Sequence, residues 1–229
     1  MSDKAETWLK SALGYEFNDV ELLQQALTHR SALGESNERL EFLGDAVLDI
    51  VVSDELFRSQ EDADEGDLSR LRSSIVKDKS LAELASDLGL GEYLVLGGGE
   101  RKTGGHRRES ILADALEAIF GAVYVDAGFD AARTVVMRAL GDRLHDLPVA
   151  AELRDPKTRL QEWLQARGLG LPEYDLVNVT GKAHRQCFEV SCRVDSANAE
   201  TRGEGTSRRD AEQVSAQSML AQLTVNGAE

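Results

Sequence analysis

Aromatic residues are scarce: Trp, Tyr and Phe make up 5% of 229 positions. The 41% hydrophobic content is therefore largely aliphatic, and any core must be built from such side chains. Cysteine is scarcer still. Cys187 and Cys192 lie in a stretch that reads as a strand, at an odd separation that places them on opposite faces and disfavours a disulfide. Their spacing is not CxxC, which removes the usual zinc or redox motif, and reduced thiols point to a cytoplasmic setting. No apolar run approaches the ~20 residues of a membrane span. The opening stretch MSDKAETWLK is charged from the start and has no apolar segment of the signal-peptide kind. Internal repeats and low-complexity tracts are absent. Cations are also short: 26 Lys and Arg against 41 Asp and Glu give a net charge of −15. Taken alone, that opposes a nucleic-acid partner, whose phosphates need Lys and Arg. The deficit is uneven, however. Residues 151–229 carry 10 basic and 12 acidic residues, against 16 and 29 in residues 1–150. The C-terminal part is thus near neutral and can hold basic patches.

The length suits one large domain or two modest ones. Helical spacing predicts a short helix over 5–12 anchored by Trp8, Leu9 and Leu13, then one capped by Asn18 or Asp19 and running to Leu27. His29, in THRSA, reads either as a catalytic group or as a helix-end histidine bonded to backbone. A helix from Asn37 runs on through Phe57, and a polar loop follows over 58–67. Asp67 is the expected N-cap of LSRLRSSIV, and Lys79–Leu88 forms a further amphipathic helix. LGGGERKTGGHRRES, residues 96–110, has five glycines and five basic residues. It reads as a flexible cationic loop able to approach phosphates. It lacks the GxxxxGK[ST] spacing of a nucleotide-binding loop, so no nucleotide cofactor is expected. Ser110 is the expected N-cap of ILADALEAIFGAVYVDAG, and another helix covers Asp130–Leu144. LPVAAELRDP, residues 147–156, lacks periodicity and contains Pro148 and Pro156. It marks a linker, set at 147–154, between domains over 1–146 and 155–225. The second domain reads as a helix (157–167), strands (174–180, 186–194, 199–203) and a last helix (208–224). The fold class is an all-α domain followed by a small α-β-β-β-α domain.

Acids placed inside apolar helices are the informative feature. In NERLEFLGDAVL, Glu38, Glu41, Asp45 and then Asp49 fall within roughly 80° of arc at about 100° per residue. Leu40, Leu43, Val47 and Val51 occupy the opposite side. Acids at i,i+3 and i,i+4 repel, so a helix that concentrates them beside apolar residues calls for a cation. The competing reading is a solvated acidic face, but Phe42, Ala46 and Leu48 border the stripe and favour a cleft wall. Asp114 and Glu117 repeat the pattern on a second apolar helix. Glu41, Asp45, Asp114 and Glu117 are hard oxygen donors, suited to Mg²⁺ or Mn²⁺ and not to zinc. A di-iron bundle would need Glu-x-x-His pairs, which are absent. A glycosidase pair would not need four acids. Two-metal phosphodiester hydrolysis fits.

NERLEFLGDAVL also closely resembles the signature of the ribonuclease III family. The resemblance extends through ALTHRSA (26–32), DEGDLSRLR (64–72), GGHRRESILADALEAIFGAVYVD (104–126) and DPKTRLQEWLQ (155–165), and covers nearly the whole chain. It implies an all-helical endonuclease domain, a double-stranded-RNA-binding domain and a homodimer. It implies that Glu41, Asp45, Asp114 and Glu117 hold metal, with Asp45 and Glu117 nearest the chemistry. Glu38 and Glu65 would line the catalytic valley, and Phe42 would lie near the dimer contact. The products implied are 5′-phosphate and 3′-hydroxyl ends with two-nucleotide 3′ overhangs, in the processing of rRNA precursors, mRNA and tRNA. For RNA contact it implies Thr158, Gln161 and Glu162 at one minor groove, Gly181, Ala183 and His184 at the next, and Arg208 and Arg209 on phosphates. Asp210 departs from the pattern, which usually has a basic residue there, and implies weaker RNA binding with a smaller salt slope. The alternative function is a regulator that binds RNA without cutting it, but all four metal-site acids are retained.

Overall fold

Each amphipathic stretch of the N-terminal part folds as a helix: α1 (Ser2–Leu13), α2 (Val20–Ala26), α3 (Glu38–Ser59), α4 (Glu65–Val76), α5 (Asp78–Asp87), the short α6 (Gly98–Lys102), α7 (Glu109–Ala127) and α8 (Phe129–Leu140). The C-terminal part forms α9 (Pro156–Gln165), β1 (Glu173–Thr180), β2 (Cys187–Val194), β3 (Ala199–Gly205) and α10 (Arg208–Asn226). The computed structural model describes residues 2–144, 146–148, 153–182 and 185–226. Its contacts divide the chain into two units, Met1–Ala150 and Ala151–Glu229. Among the described residues no helix is long and apolar enough to cross a membrane. Residues 149–152 of the expected linker lie outside the described residues.

In the first unit α7 is the central helix. Ile111, Ala115, Leu116, Ile119, Phe120 and Val123 are all buried, as are Leu40, Val47, Leu48 and Val51 of the facing α3. Around Phe120 the core is largely aliphatic, as the composition requires. Gly44 of α3 and Gly121 of α7 let the two helices touch backbone to backbone. A Cβ on Gly44 would lie 1.8 Å from the Glu117 carbonyl oxygen, and one on Gly121 would lie 2.1 Å from that of Leu40. Glycine inside a helix costs about 0.5–1 kcal/mol relative to alanine, and here the close crossing accounts for it. The far end of α7 is tied by Asp126. Its Oδ2 accepts from Tyr15 Oη (2.5 Å), Asn18 N (2.9 Å) and Asn18 Nδ2 (3.2 Å), and its Oδ1 accepts from Asp19 N (2.9 Å). An acid at a helix C-terminus faces an unfavourable dipole, and these donors offset it.

Four local expectations are corrected. Asp64, not Asp67, caps α4: its Oδ1 accepts from Asp67 N at 2.7 Å, and Asp67 pairs with Arg70 at 2.5 Å. The helix therefore starts at Glu65, where acids in the first turn suit its dipole. Ser110 lies inside α7, whose N-cap position is Arg108. The 96–110 stretch is not a plain flexible loop. It holds α6 and a 3₁₀ turn over Gly105–Arg107, and is tied by an Arg108–Glu100 ion pair at 2.9 Å and by Gly97 N donating to Ser31 Oγ at 3.0 Å. The expected helix over 130–144 ends at Leu140 and continues as a 3₁₀ turn over Gly141–Leu144.

The second unit is an antiparallel sheet in the order β1-β2-β3, with a register slip between Leu176 and Asn178 of β1. Leu160 and Leu164 of α9, Ala216, Met219 and Leu223 of α10, and Cys192 and Val194 of β2 form its core. Cys192 is buried, Cys187 is partly exposed, and both are free thiols, as their opposite strand faces require.

Candidate functional site

The α3–α7 crossing brings acids from two helices together. Carboxylate oxygens of Glu41, Asp114 and Glu117 lie within 4.8 Å of one another. Asp45, one turn beyond Glu41, is exposed and is not among the three that converge, although its charge acts on Glu117. Burial pushes the Glu117 carboxyl up to about 8, and the charges of Asp45, Glu41, Asp114 and Asp78 add to this. Glu41 is also raised, by burial and then by Asp114 and Glu38, with Arg30 acting the other way. Asp114 is raised by burial and by Asp78, against His29 and Arg30. Asp45 is raised by desolvation and by Asp49. Among the described residues no basic side chain forms an ion pair with any of these four acids. The donors are carboxylate oxygens throughout, with neither imidazole nor thiolate, and their repulsion is offset only in part, by the nearby charges of Arg30 and His29. A hard divalent cation fits such a set.

The flanking acids are engaged elsewhere. Glu38 accepts from Ser36 Oγ at 3.0 Å and pairs with Arg30 at 3.4 Å, so it faces a cation at the rim of the cluster. Asp49 lies 3.7 Å from Arg72. Glu65 begins α4, apart from the converging acids, and borders a cavity of about 420 Å³ with Ile50, Phe57, Leu68 and Arg72. Phe42 is 80% exposed, and Ile50 (55%) and Phe57 (72%) continue the same stripe along α3. His29 Nδ1 lies 2.8 Å from Ser31 Oγ and accepts from the Ser31 backbone N at 3.2 Å. This is the backbone-anchored alternative for that residue.

Pattern reading overlooked four participants. Gly44 and Gly121 make the approach of the acids possible, and their only signal is glycine within an apolar helix. Asp78, at the start of α5, acts on both Asp114 and Glu117 but belongs to no acidic pattern. Arg30 is marked only by its place in ALTHRSA.

On the second unit Thr158, Gln161 and Glu162 are all exposed on α9. Glu162 is neutralised by Arg154 at 2.6 Å, another partner that spacing did not reveal. Gly181 adopts φ 89°, and a Cβ there would lie 2.1 Å from the Arg185 carbonyl oxygen, so this turn requires glycine. Ala183 and His184 lie outside the described residues. Arg208 and Arg209 are exposed in the first turn of α10. Asp210 N donates to Ser207 Oγ at 3.1 Å, and its carboxylate accepts from Thr206 Oγ1 at 2.8 Å. The residue that departs from the family pattern thus takes part in the N-terminal cap of α10.

Residues 19–144 match the family model described as ribonuclease-III-like, and residues 156–223 match the double-stranded RNA binding motif. The Ribonuclease 3 of Alkalilimnicola ehrlichii is 54% identical over 215 residues, covering 94% of each chain. That of Vibrio cholerae is 52% identical over 216 residues, covering 94% of this chain and 96% of its own. Among solved structures, a nuclease domain of ribonuclease III from Campylobacter jejuni, described as flexible in the region involved in dimer formation, superposes with a TM-score of 0.57. It is 47% identical and covers 59% of this chain and 95% of its own. An acid-lined helical nuclease domain followed by an RNA-binding domain, with these matches over nearly the full length, places the chain in the ribonuclease III family of double-stranded-RNA endoribonucleases.

Proposed function

We propose that this chain cuts double-stranded RNA in the cytoplasm as a homodimer that uses Mg²⁺, with Mn²⁺ as a substitute. In this reading residues 1–146 are the catalytic domain, 147–154 the linker and 155–225 the RNA-binding domain. Glu41, Asp45, Asp114 and Glu117 hold the metal, with Asp45 and Glu117 nearest the reacting phosphate. Bound divalent ions would supply a water of lowered pKa and stabilise charge on the leaving oxygen. The chain's own residues arrange the approach. Gly44 and Gly121 set the spacing of the acids, Glu38 holds Arg30 at the rim, and Glu65 borders the valley. The exposed stripe of Phe42, Ile50 and Phe57 supports a second copy docking on α3. Thr158, Gln161 and Glu162 read one minor groove, Gly181, Ala183 and His184 the next, and Arg208 and Arg209 the phosphates between. The products carry 5′-phosphates, 3′-hydroxyls and two-nucleotide 3′ overhangs, as processing of rRNA precursors, mRNA and tRNA would require.

The convergence of Glu41, Asp114 and Glu117 within 4.8 Å carries this reading. The test is a long RNA duplex incubated with Mg²⁺ or with chelator, using wild type and Glu117→Gln. Wild type should cut only with metal, and the variant should cut at least about 10²-fold more slowly, because several kcal/mol of charge stabilisation is lost. A wild type that fails to cut, or a variant that cuts equally well, refutes the mechanism.

A further inference from the structure

The two helices expected to meet RNA in the second unit are joined at their N-terminal ends by side chains. Lys157 Nζ donates to Glu212 Oε2 at 2.6 Å, and Gln213 Nε2 donates to Asp155 Oδ2 at 2.6 Å. Asp155 also caps α9, accepting from Lys157 N at 2.8 Å. The second oxygen of Glu212, Oε1, accepts from Arg208 Nε at 2.9 Å. One carboxylate therefore grips the first turn of α9 and the cation that opens α10.

This is not an ordinary surface pair. The Glu212 side chain is only 14% exposed, and Lys157 lies over the Tyr174 ring, 4.3 Å from its centroid. The Arg208 side chain remains 57% exposed. Its bond to Glu212 uses Nε and leaves the two terminal amino groups of the guanidinium available to a phosphate. Duplex RNA is recognised by shape, through minor-groove and phosphate contacts at fixed spacing over ~16 base pairs. A reader of shape gains from a fixed distance between its contact elements, because less ordering remains to be done on binding.

We propose that Glu212 is a positioning residue for duplex binding: by holding Lys157 and Arg208 together, it sets the distance between the minor-groove helix and the phosphate clamp. The inference rests on Arg208 being a phosphate contact. Its consequence opposes simple electrostatics. A carboxylate beside the phosphate-facing surface repels RNA, so on charge alone its removal should tighten binding. If it positions Arg208, its removal should weaken binding.

The test uses the full chain without divalent metal and a duplex longer than the ~16 base pairs such a domain spans. Affinity is measured across a range of salt for wild type, Glu212→Gln, Arg208→Ala and the double variant. Glu212→Gln should weaken binding about fivefold at 0.15 M salt, the worth of one phosphate contact under counterion release, and flatten the slope of log K against log salt by about one contact. Arg208→Ala should do the same, and the double variant should bind no more weakly than either single variant. Tighter binding by Glu212→Gln overturns the proposal. So does a lowered melting temperature with affinity and slope unchanged, which would make the link merely structural. If Arg208→Ala costs nothing, the phosphate contact fails and takes the inference with it. If Arg208→Ala weakens binding and Glu212→Gln does not, the positioning role alone falls. Should Glu212→Gln melt below the assay temperature, Glu212→Asp provides the comparison: it keeps the charge but shortens the reach, and should also weaken binding.

Discussion

Gly44→Ala should impair cleavage far more than it impairs folding. The added Cβ would lie 1.8 Å from the Glu117 carbonyl oxygen, 2.6 Å from its carbon and 2.8 Å from Gly121 N, where ordinary contact begins at 3.4 Å. All three are backbone atoms of α7, so no side chain can swing away, and α3 and α7 must part locally by roughly 1.5 Å. Overpacking of this kind costs about 1–3 kcal/mol, and the better helix propensity of alanine returns about 0.5–1 kcal/mol. The net loss of about 1–2 kcal/mol should lower the melting temperature by several degrees, at ~2–4 °C per kcal/mol for a chain of this size. The same displacement separates Glu41 from Glu117, and a misplacement of about 1 Å in a reacting geometry can cost about 10²-fold in rate. The assay is cleavage of a long duplex with saturating Mg²⁺ at a temperature where the variant is folded, alongside a thermal melt. Gly99→Ala is the control, because a Cβ there meets nothing within 4 Å. Wild-type cleavage by Gly44→Ala with an unchanged melting temperature would refute the claim that backbone contact sets the site.

Two further outcomes follow from the electrostatics. In the metal-free protein the Glu117 carboxyl titrates at about 8, against 4.5 for an ordinary glutamate. Between those values the folded state keeps a proton that the unfolded state has lost. Stability should therefore fall as pH rises through that window, by up to about 1.4 kcal/mol per pH unit. Glu117→Gln should flatten that slope. Mg²⁺ binds the ionised cluster, so it should raise the melting temperature more above pH 8 than at about pH 6; an equal shift at both, read by scanning fluorimetry, would contradict this. Asp210→Lys replaces an acid beside Arg208 and Arg209 with a cation, and should tighten duplex binding at moderate salt by about the fivefold worth of one phosphate contact. It should also lower the melting temperature of the second unit, because Asp210 accepts from Thr206 in the α10 cap. Unchanged or weaker affinity in the folded variant would remove the electrostatic account of that position.

The acids of the site were legible because charge inside an apolar helix is costly and must have a reason. Glu41, Asp114 and Glu117 stand out against neighbours such as Leu40, Leu116 and Ile119. What brings them together was not legible. A glycine within a helix signals a close approach without naming its partner, so Gly44 and Gly121 could be paired only in three dimensions. Asp78 reaches the site through the packing of α5 on α7, a tertiary relation that leaves no periodicity. The caps went astray for a local reason. Asp67 and Ser110 are good capping residues, but Asp64, three residues earlier, accepts from the Asp67 backbone N–H, and α7 begins at Glu109, one residue before Ser110. The 96–110 stretch looked flexible from its glycines, whereas the tie from Gly97 to Ser31 depends on a segment more than sixty positions away. In the second unit the α-β-β-β-α order was readable from alternation and turns. The Glu212 link was not, because Lys157 and Glu212 are 55 residues apart.

The anchoring of α7 makes the metal cluster's second wall a rigid rod. The Asp126 hub holds one end of the helix, the Gly44–Gly121 crossing grips it at Glu117 and one turn beyond, and the burial of Ile111, Leu112, Ala113 and Ala115 seats the turn that carries Asp114. Asp114 and Glu117 therefore share one fixed backbone. A centre built this way adjusts to its cargo by rotating side chains and not by bending a helix.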